Sequence, residues 1–563
     1  MALGLRLWGF LQGYPEFYGH VDEIGVAAST WNFFRSATLK PTEFTYPACY
    51  SYLVAALLWL TQGFWPGPGL GSALEELVLV SYLDPARAAL LGRGLSAGLS
   101  ALSVLLTFFL GKEVWGTRTG LLAALFLALA VVPVGQAHHA LPDSAMAFWA
   151  VLCFYFSWKV QATGRSWAYI LAGAAGGWVV ATKYNGAFAC LALPAAHLLR
   201  EKASGWPKAL LAGRLWAGVG MAWVTLFIGS PYLFLAHEQY LSLARYQVSS
   251  LDFSLQETAP WWWIPRGLVQ QEWVVGLLMA AGLIRALWRR QGLDWMLLAA
   301  WIPSFLYLGS WTRQSVHYLL HLYPLLALAA ARLLEELAGR VPWMARRAWA
   351  VYGLALLVAL PSAYQVVLLD VELGRPDTRQ QAASWIEAHL PDGARLATTW
   401  LPYGPRLALK EARQSLAAHY RDRPQALAQL ERAWSGRPAY HLVNLEVWLK
   451  APVVPQAYEE GVDLNDPETR RVFSRAWRSP GQLQQMGVQY IVLPEATYGR
   501  YLYMDAPREE GSAAHYHFVK NRAYFSLLTD PESGQTERLA SFPSGPRARG
   551  GGIHVYRLKP FEP

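Results

Sequence analysis

Apolar stretches long enough, or nearly so, to cross a lipid bilayer recur ten times in this chain. They are Ala88–Leu110, Arg118–Val134, Ser144–Val160, Trp167–Thr182, Tyr184–Leu199, Leu215–Leu235, Gly267–Trp288, Leu293–Gly309, Val316–Leu334 and Ala348–Leu369. A helical span needs about 20 mainly apolar residues, with a working range of roughly 17–25. Inside a bilayer each backbone polar group must be bonded within its own segment, which confines such a chain to helices. The composition agrees: 54% of residues are hydrophobic and 15% charged, against roughly 25% charged in a soluble domain. The 27 Trp and 28 Tyr residues suit belts at the two membrane surfaces.

The connections set the sidedness. Every second one is basic: Lys112 and Arg118; Lys159 and Arg165; Arg200, Lys202, Lys208 and Arg214; Arg285, Arg289 and Arg290; Arg332, Arg340, Arg346 and Arg347. The intervening His138–Asp143 turn, Lys183 junction, Ala236–Arg266 loop and Trp311–Ser315 carry few cations. The positive-inside rule then puts the first set in the cytoplasm and the second outside. It also accounts for the net charge of +9 without a nucleic-acid partner. On this topology Asp22-Glu23 and everything after about Val371 lie outside, in a plasma (inner) membrane. Parity requires that the apolar stretch Tyr46–Phe64 does not cross alone. It is expected to lie in the outer interface, or to form half of a re-entrant pair with Ser72–Leu83. Only about 11 apolar residues precede Gln12, a helix of roughly 16 Å, so coding sequence upstream is expected to supply the missing turns of a first span.

The expected organisation is a transmembrane domain over 1–370, with an outer loop at 12–87, and an extracytoplasmic α/β domain over 371–563. In the latter, Thr378–His389 reads as an amphipathic helix, Pro391-Asp392-Gly393 as a turn, and Arg395–Thr399, Tyr440–Leu445, Gln489–Leu493 and Ile553–Leu558 as strands. No catalytic constellation stands out there; capping the membrane part or holding an acceptor is its expected role. The three cysteines lie in apolar stretches and make no disulfide framework. No Gly-rich phosphate loop or Ser-centred nucleophile elbow stands in a strand–helix pattern, and no CxxC or HExxH is present.

The chemistry-bearing residues gather on the expected outer side. Asp22 and Glu23 form an acidic pair before the apolar run Ile24–Phe34. They read either as a helix N-terminal pair favoured by the dipole or as a carboxylate base for an attacking hydroxyl. His138, His139 and Asp143 read as a helix cap or as pocket residues; a metal lacks a third ligand at a standard spacing. Arg93, Lys183, and Arg313 with His317, read as cations snorkelling to lipid head groups or clamping a substrate phosphate.

Taken in order, these segments resemble a known family. "LRLWGFLQGYPEFYGHVDE" is similar to the start of the dolichyl-phosphate-mannose–protein mannosyltransferases (glycosyltransferase family 39) and their bacterial relatives, in which an Asp-Glu pair opens the first outer loop. "FTYPACYSYL", "ARAALLGRGLSAGLS" running to "LGKEVWG", "HHALPDSAMAFW" and "ATKYNG" resemble successive later segments. "VHYLLHLYPLLAL" resembles a late span in which Arg-Tyr usually stands where His317-Tyr318 stand here. "DTRQQAASWIEAHLPDGARLA" and "MGVQYIVLP" resemble C-terminal segments of bacterial members.

The resemblance implies a mainly α, polytopic membrane protein of the glycosyltransferase C-type fold. It would have about 10–11 transmembrane helices and a C-terminal soluble α/β domain. It implies a polyprenyl-phosphate-linked sugar donor and transfer with inversion to a protein, lipid or glycan acceptor on the outer face. Asp22 would be the base, with Glu23 positioning it or contacting the acceptor. Asp143 with His138 or His139 would line the donor pocket, beside Tyr184 of the "ATKYNG" junction and His317-Tyr318. Arg93, Lys183 and Arg313 would neutralise the phosphate. No cofactor is expected; a divalent metal is conceivable but not implied. A polytopic transporter and a catalytically silent anchor are the alternatives, though no internal repeat of the transporter kind is visible.

Overall fold

A computed structural model of the chain describes residues 1–15, 19–62, 72–202, 205–243, 261–311, 314–399, 403–451, 453–454, 463–465, 467–506, 512–545 and 548–560. The chain is mostly helical and divides into two compact units. The first holds Met1–Phe10, Gly25–Thr61 and Arg87–Leu373; the second holds Leu11–Ile24, Gln62–Ala86 and Gly374–Pro563. The outer loop expected at 12–87 is therefore shared between them.

In the first unit, each of the ten expected spans maps onto a helix or a pair of helical pieces. Among the described residues, Arg87–Trp115, Trp263–Arg289, Val316–Gly339 and Ala348–Leu373 are each long and apolar enough to cross a membrane. Thr117–Leu129 and Val131–Ala137 make a fifth if taken as one span bent by 57°. Asp143–Thr163 has 21 residues, and Ser166–Thr182, Gly213–Gly229 and Leu293–Gly309 have 17 each. The stretch expected as Tyr184–Leu199 opens as a 3-10 run, Tyr184–Leu191, before the α-helix Ala192–Arg200. Val316–Leu322 is likewise 3-10 ahead of Tyr323–Gly339. Helices Ser166–Thr182 and Gly213–Gly229 touch backbone to backbone. A Cβ at Gly173 would lie 1.9 Å from the Gly218 carbonyl oxygen, and one at Gly177 2.1 Å from that of Ala222. Such small-residue contacts replace the hydrophobic drive that lipid cannot supply. Cys49–Thr61 has 13 residues, about 20 Å of helix against a core of about 30 Å.

The second unit is built on a sheet. The strands are β1 (Arg395–Thr398), β2 (His441–Asn444), β3 (Glu446–Trp448), β4 (Arg475–Trp477), β5 (Tyr490–Pro494), β6 (Thr536–Phe542) and β7 (Ile553–Leu558). Five of them run in the order β2-β1-β5-β7-β6, while β3 and β4 pair separately. The β1–β2 and β1–β5 pairs are parallel; β5–β7 and β6–β7 are antiparallel. All four expected strands and the helix Thr378–His389 are present. Side chains alternate between faces with period two. Leu396, Val492 and Val555 pack with Ala382 and Ile386 of that helix. Ala397, Ile491, Leu493 and Tyr556 pack on the other face with Phe525 and Leu528.

Two N-terminal pieces belong to this unit. Helix Ala73–Leu83, capped by Ser72, packs its Leu79 with Tyr420, Ala426 and Leu430, and Arg423 lies 3.3 Å from Glu75. Tyr14 donates to Asp84 Oδ2 at 2.8 Å. Buried Arg549 donates to Gln12 and, at 2.7 Å, to Asp377.

Candidate functional site

The first unit assembles a buried ion pair from two of the expected site residues. Asp143 opens the helix Asp143–Thr163. Lys183 ends Ser166–Thr182, and its extended backbone (φ −158°, ψ 133°) breaks the helix and turns the side chain inward. Its Nζ donates to both carboxylate oxygens at 2.8 Å, with side chains 8% and 1% exposed. The ammonium lies 4.9 Å from the Tyr46 ring centre and 6.0 Å from that of Tyr318. Asn185 ties the two chain segments together, donating to the Tyr318 carbonyl at 2.7 Å. An ammonium carries three N–H donors; the carboxylate takes two.

The turn before Asp143 is fastened to Arg87–Trp115. A Cβ at Gly92 would sit 2.7 Å from the Ala140 Cβ, so only glycine allows this approach. Ser96 donates to the Leu141 carbonyl at 3.2 Å, and the Tyr50 hydroxyl reaches both Ser96 Oγ and the Gly92 carbonyl at 2.7 Å.

The other expected residues fall at several places. Arg93, 1% exposed, donates to the Phe10 carbonyl at 3.2 Å. His138 is buried, with Nδ1 2.8 Å from the Val134 carbonyl oxygen, and Nε2 2.8 Å from that of Trp8 and 3.3 Å from Asp370. Both nitrogens face oxygens, an anchoring rather than a ligating arrangement. His139 is half-buried in the same turn. Tyr184 is 37% exposed, edge-on to Tyr240 at 6.3 Å. His317 bonds to Ser315 Oγ, its ring 4.3 Å from that of Tyr318. Arg313 lies outside the described residues. Among the described residues, no three His, Cys, Asp or Glu side chains gather as metal ligands.

In the second unit the acidic pair is divided. Glu23 is fully buried and accepts from the Gly19 and His20 backbone N–H groups at 2.7 and 3.1 Å. Asp22 is 45% exposed, with His20 Nδ1 3.9 Å from its carboxylate. Glu23 thus closes the loop that carries Asp22.

Arg6, Glu272 and Asp370 of the first unit are buried charges that the sequence reading did not single out. Their signal was present, since an ionisable side chain within an apolar run is a functional candidate by default. Arg6 donates to the carbonyls of Leu127 and Ala128 at 3.2 Å each, and to Ser100 Oγ at 2.7 Å. Glu272 accepts from the backbone N–H groups of Val131 and Val132 at 2.6 and 2.9 Å, and from the Tyr323 hydroxyl at 3.1 Å.

No curated protein sequence matches the chain. Among solved structures, ArnT from Cupriavidus metallidurans in the apo state is similar at a TM-score of 0.47 and 15% identity, covering 92% of this chain and 97% of that one. The archaeal oligosaccharyltransferase AglB from Archaeoglobus fulgidus is similar at a TM-score of 0.48 and 13% identity, covering 91% and 70%. The resemblance read from the sequence is met by a family model. Residues 76–235, which include Arg93, His138, His139, Asp143, Lys183 and Tyr184, match the family described as dolichyl-phosphate-mannose-protein mannosyltransferase.

Proposed function

We propose that this chain is a membrane glycosyltransferase that takes a sugar from a polyprenyl-phosphate donor and passes it to an acceptor hydroxyl on the outer face of the plasma membrane. The observation that carries this reading is the family match over residues 76–235, because that segment holds Arg93 and the buried Asp143–Lys183 pair. Residues 11–24 and 374–563 fall in one compact unit. This supports a shared outer compartment for Asp22 and the C-terminal domain. The 13-residue helix Cys49–Thr61, too short to cross alone, supports the same parity.

In the proposed step the acceptor oxygen attacks the sugar's anomeric carbon and gives its proton to the Asp22 carboxylate. The new C–O bond forms as the bond to the phosphate oxygen breaks, and that oxygen keeps the electron pair. Attack opposite the leaving group inverts the carbon. Phosphate leaves without an acid to protonate it, so one carboxylate suffices where glycosidases use two. Charge builds on the phosphate, and cations fixed beforehand stabilise it without reorganising. Lys183, held by Asp143 and screened by Tyr46 and Tyr318, suits that task, with Arg93 and Arg313 assisting. The Asp22 side chain is 45% exposed, while Glu23 accepts from its own loop. The ring nitrogens of His138 face the Val134 and Trp8 carbonyls and Asp370, and the reading routes no step through a metal.

The test is transfer by the full chain reconstituted with radiolabelled polyprenyl-phosphate sugars. Wild type labels an acceptor covalently, and Asp22→Asn binds donor but transfers 10²–10⁴-fold more slowly, roughly the range for losing a general base. Undiminished transfer by Asp22→Asn removes the base role. Accumulation in sealed vesicles without covalent transfer makes the protein a transporter. Loss of activity with a chelator assigns a metal.

A further inference from the structure

We infer that Arg6 and Glu272 are positioning residues: they clamp the two sides of the break at Ala130 and so hold the segment that delivers Asp143 to Lys183. Breaking a helix in apolar surroundings orphans carbonyls on one side and N–H groups on the other. The carbonyl end carries partial negative charge and the N–H end partial positive charge. Here each end meets its opposite. The Arg6 guanidinium bonds the carbonyls of Leu127 and Ala128, where Thr117–Leu129 stops. The Glu272 carboxylate bonds the N–H groups of Val131 and Val132, where Val131–Ala137 starts. Both side chains are fully buried.

The partner helix is broken at the same place. Trp273, next to Glu272, has φ 53° and ψ −126° inside Trp263–Arg289, a conformation costly for a bulky residue. Ser362 takes up the Glu272 carbonyl at 2.8 Å. The short piece Val131–Ala137 leads straight into His138, which is anchored to the carbonyl of Trp8, two residues beyond Arg6. The helix of Arg6 thus grips the broken span on both sides. Buried charges are poor stabilisers compared with well-packed apolar groups, and a gain in conformational specificity is the reading under test. The conformation specified is the 57° bend that sets where Asp143 begins its helix.

The activity arm of this inference rests on the glycosyl-transfer reading; the exchange arm does not. Glu272→Gln and, separately, Arg6→Lys are made in the full chain. Hydrogen exchange is compared with wild type over 131–143, over Ala348–Leu373 and over β5 and β7. The clamp predicts faster exchange confined to 131–143. It also predicts a kcat/KM for donor lowered roughly 10²-fold, as for an ångström-scale misplacement, through a raised donor KM with acceptor KM unchanged. Exchange that rises everywhere, or local exchange with donor kinetics intact, reduces both residues to structural supports and overturns the inference, as does no change at all. If wild type transfers no sugar, the functional reading fails, and exchange together with polyprenyl phosphate binding still decides the clamp. If Glu272→Gln fails to fold, Arg6→Lys carries the test.

Discussion

Lys183 donates one 2.8 Å hydrogen bond to each carboxylate oxygen of Asp143, and both side chains are almost wholly buried. The two residues stand forty positions apart and end two different helices, so the pair locks the start of Asp143–Thr163 to the end of Ser166–Thr182.

Removing one member leaves an uncompensated buried charge. Asp143→Ala or Lys183→Met is expected to cost about 3–5 kcal/mol, and the double variant less than the sum. A double-mutant cycle on thermal unfolding in detergent measures this coupling. Additive losses show that the pair does not act as a unit.

Asp22 and Glu23 are adjacent but expected to respond oppositely. Glu23→Ala removes the partner of the part-buried Gly19 and His20 N–H donors and costs about 1–3 kcal/mol. Asp22→Asn, on a half-exposed side chain, changes stability by no more than about 0.5 kcal/mol while transfer collapses. Melting temperatures beside transfer rates separate the two.

Gly92→Val forces a side chain into Ala140. Overpacking of this kind costs about 1–3 kcal/mol, and the displaced turn is expected to raise donor KM. Ala140→Gly added to the variant should recover part of both. No recovery means that the clash lies elsewhere.

Asp377 gives the second unit an acid limit. Burial alone would raise its pKa, but hydrogen bonds and charge from Arg379 and the charge of Arg549 hold the carboxyl below its ordinary 3.8. Its folded pKa is therefore below its unfolded one. The stabilisation is complete above the unfolded value, about 3.9, and is lost as pH falls through the folded one. Denaturant midpoints of wild type and Asp377→Asn should differ at neutral pH and converge below about pH 4. A constant gap rules this coupling out.

Much of the architecture is legible in the residues themselves. The alternation of Leu396, Ala397 and Thr398, and of Ile491, Val492 and Leu493, is a strand signal because period two is a backbone property. Ala382 and Ile386 repeat at helical spacing for the same kind of reason. The Asp143–Lys183 contact was not legible: both were singled out, but their pairing depends on where two helices end. The 3-10 openings at Tyr184 and Val316 escaped because hydropathy does not distinguish one helix type from another. Arg6, Glu272 and Asp370 escaped because a window average hides a single charge among apolar neighbours, although each was a signal in its own right.

Arg549, near the end of the chain, bonds Gln12, near its beginning. The loop of Asp22 thus belongs to a unit that is closed by a contact spanning 537 positions. Contacts of such sequence separation form slowly. The second unit therefore pays for closing a very large loop before that contact returns anything, and it cannot finish folding until Arg549 has been made.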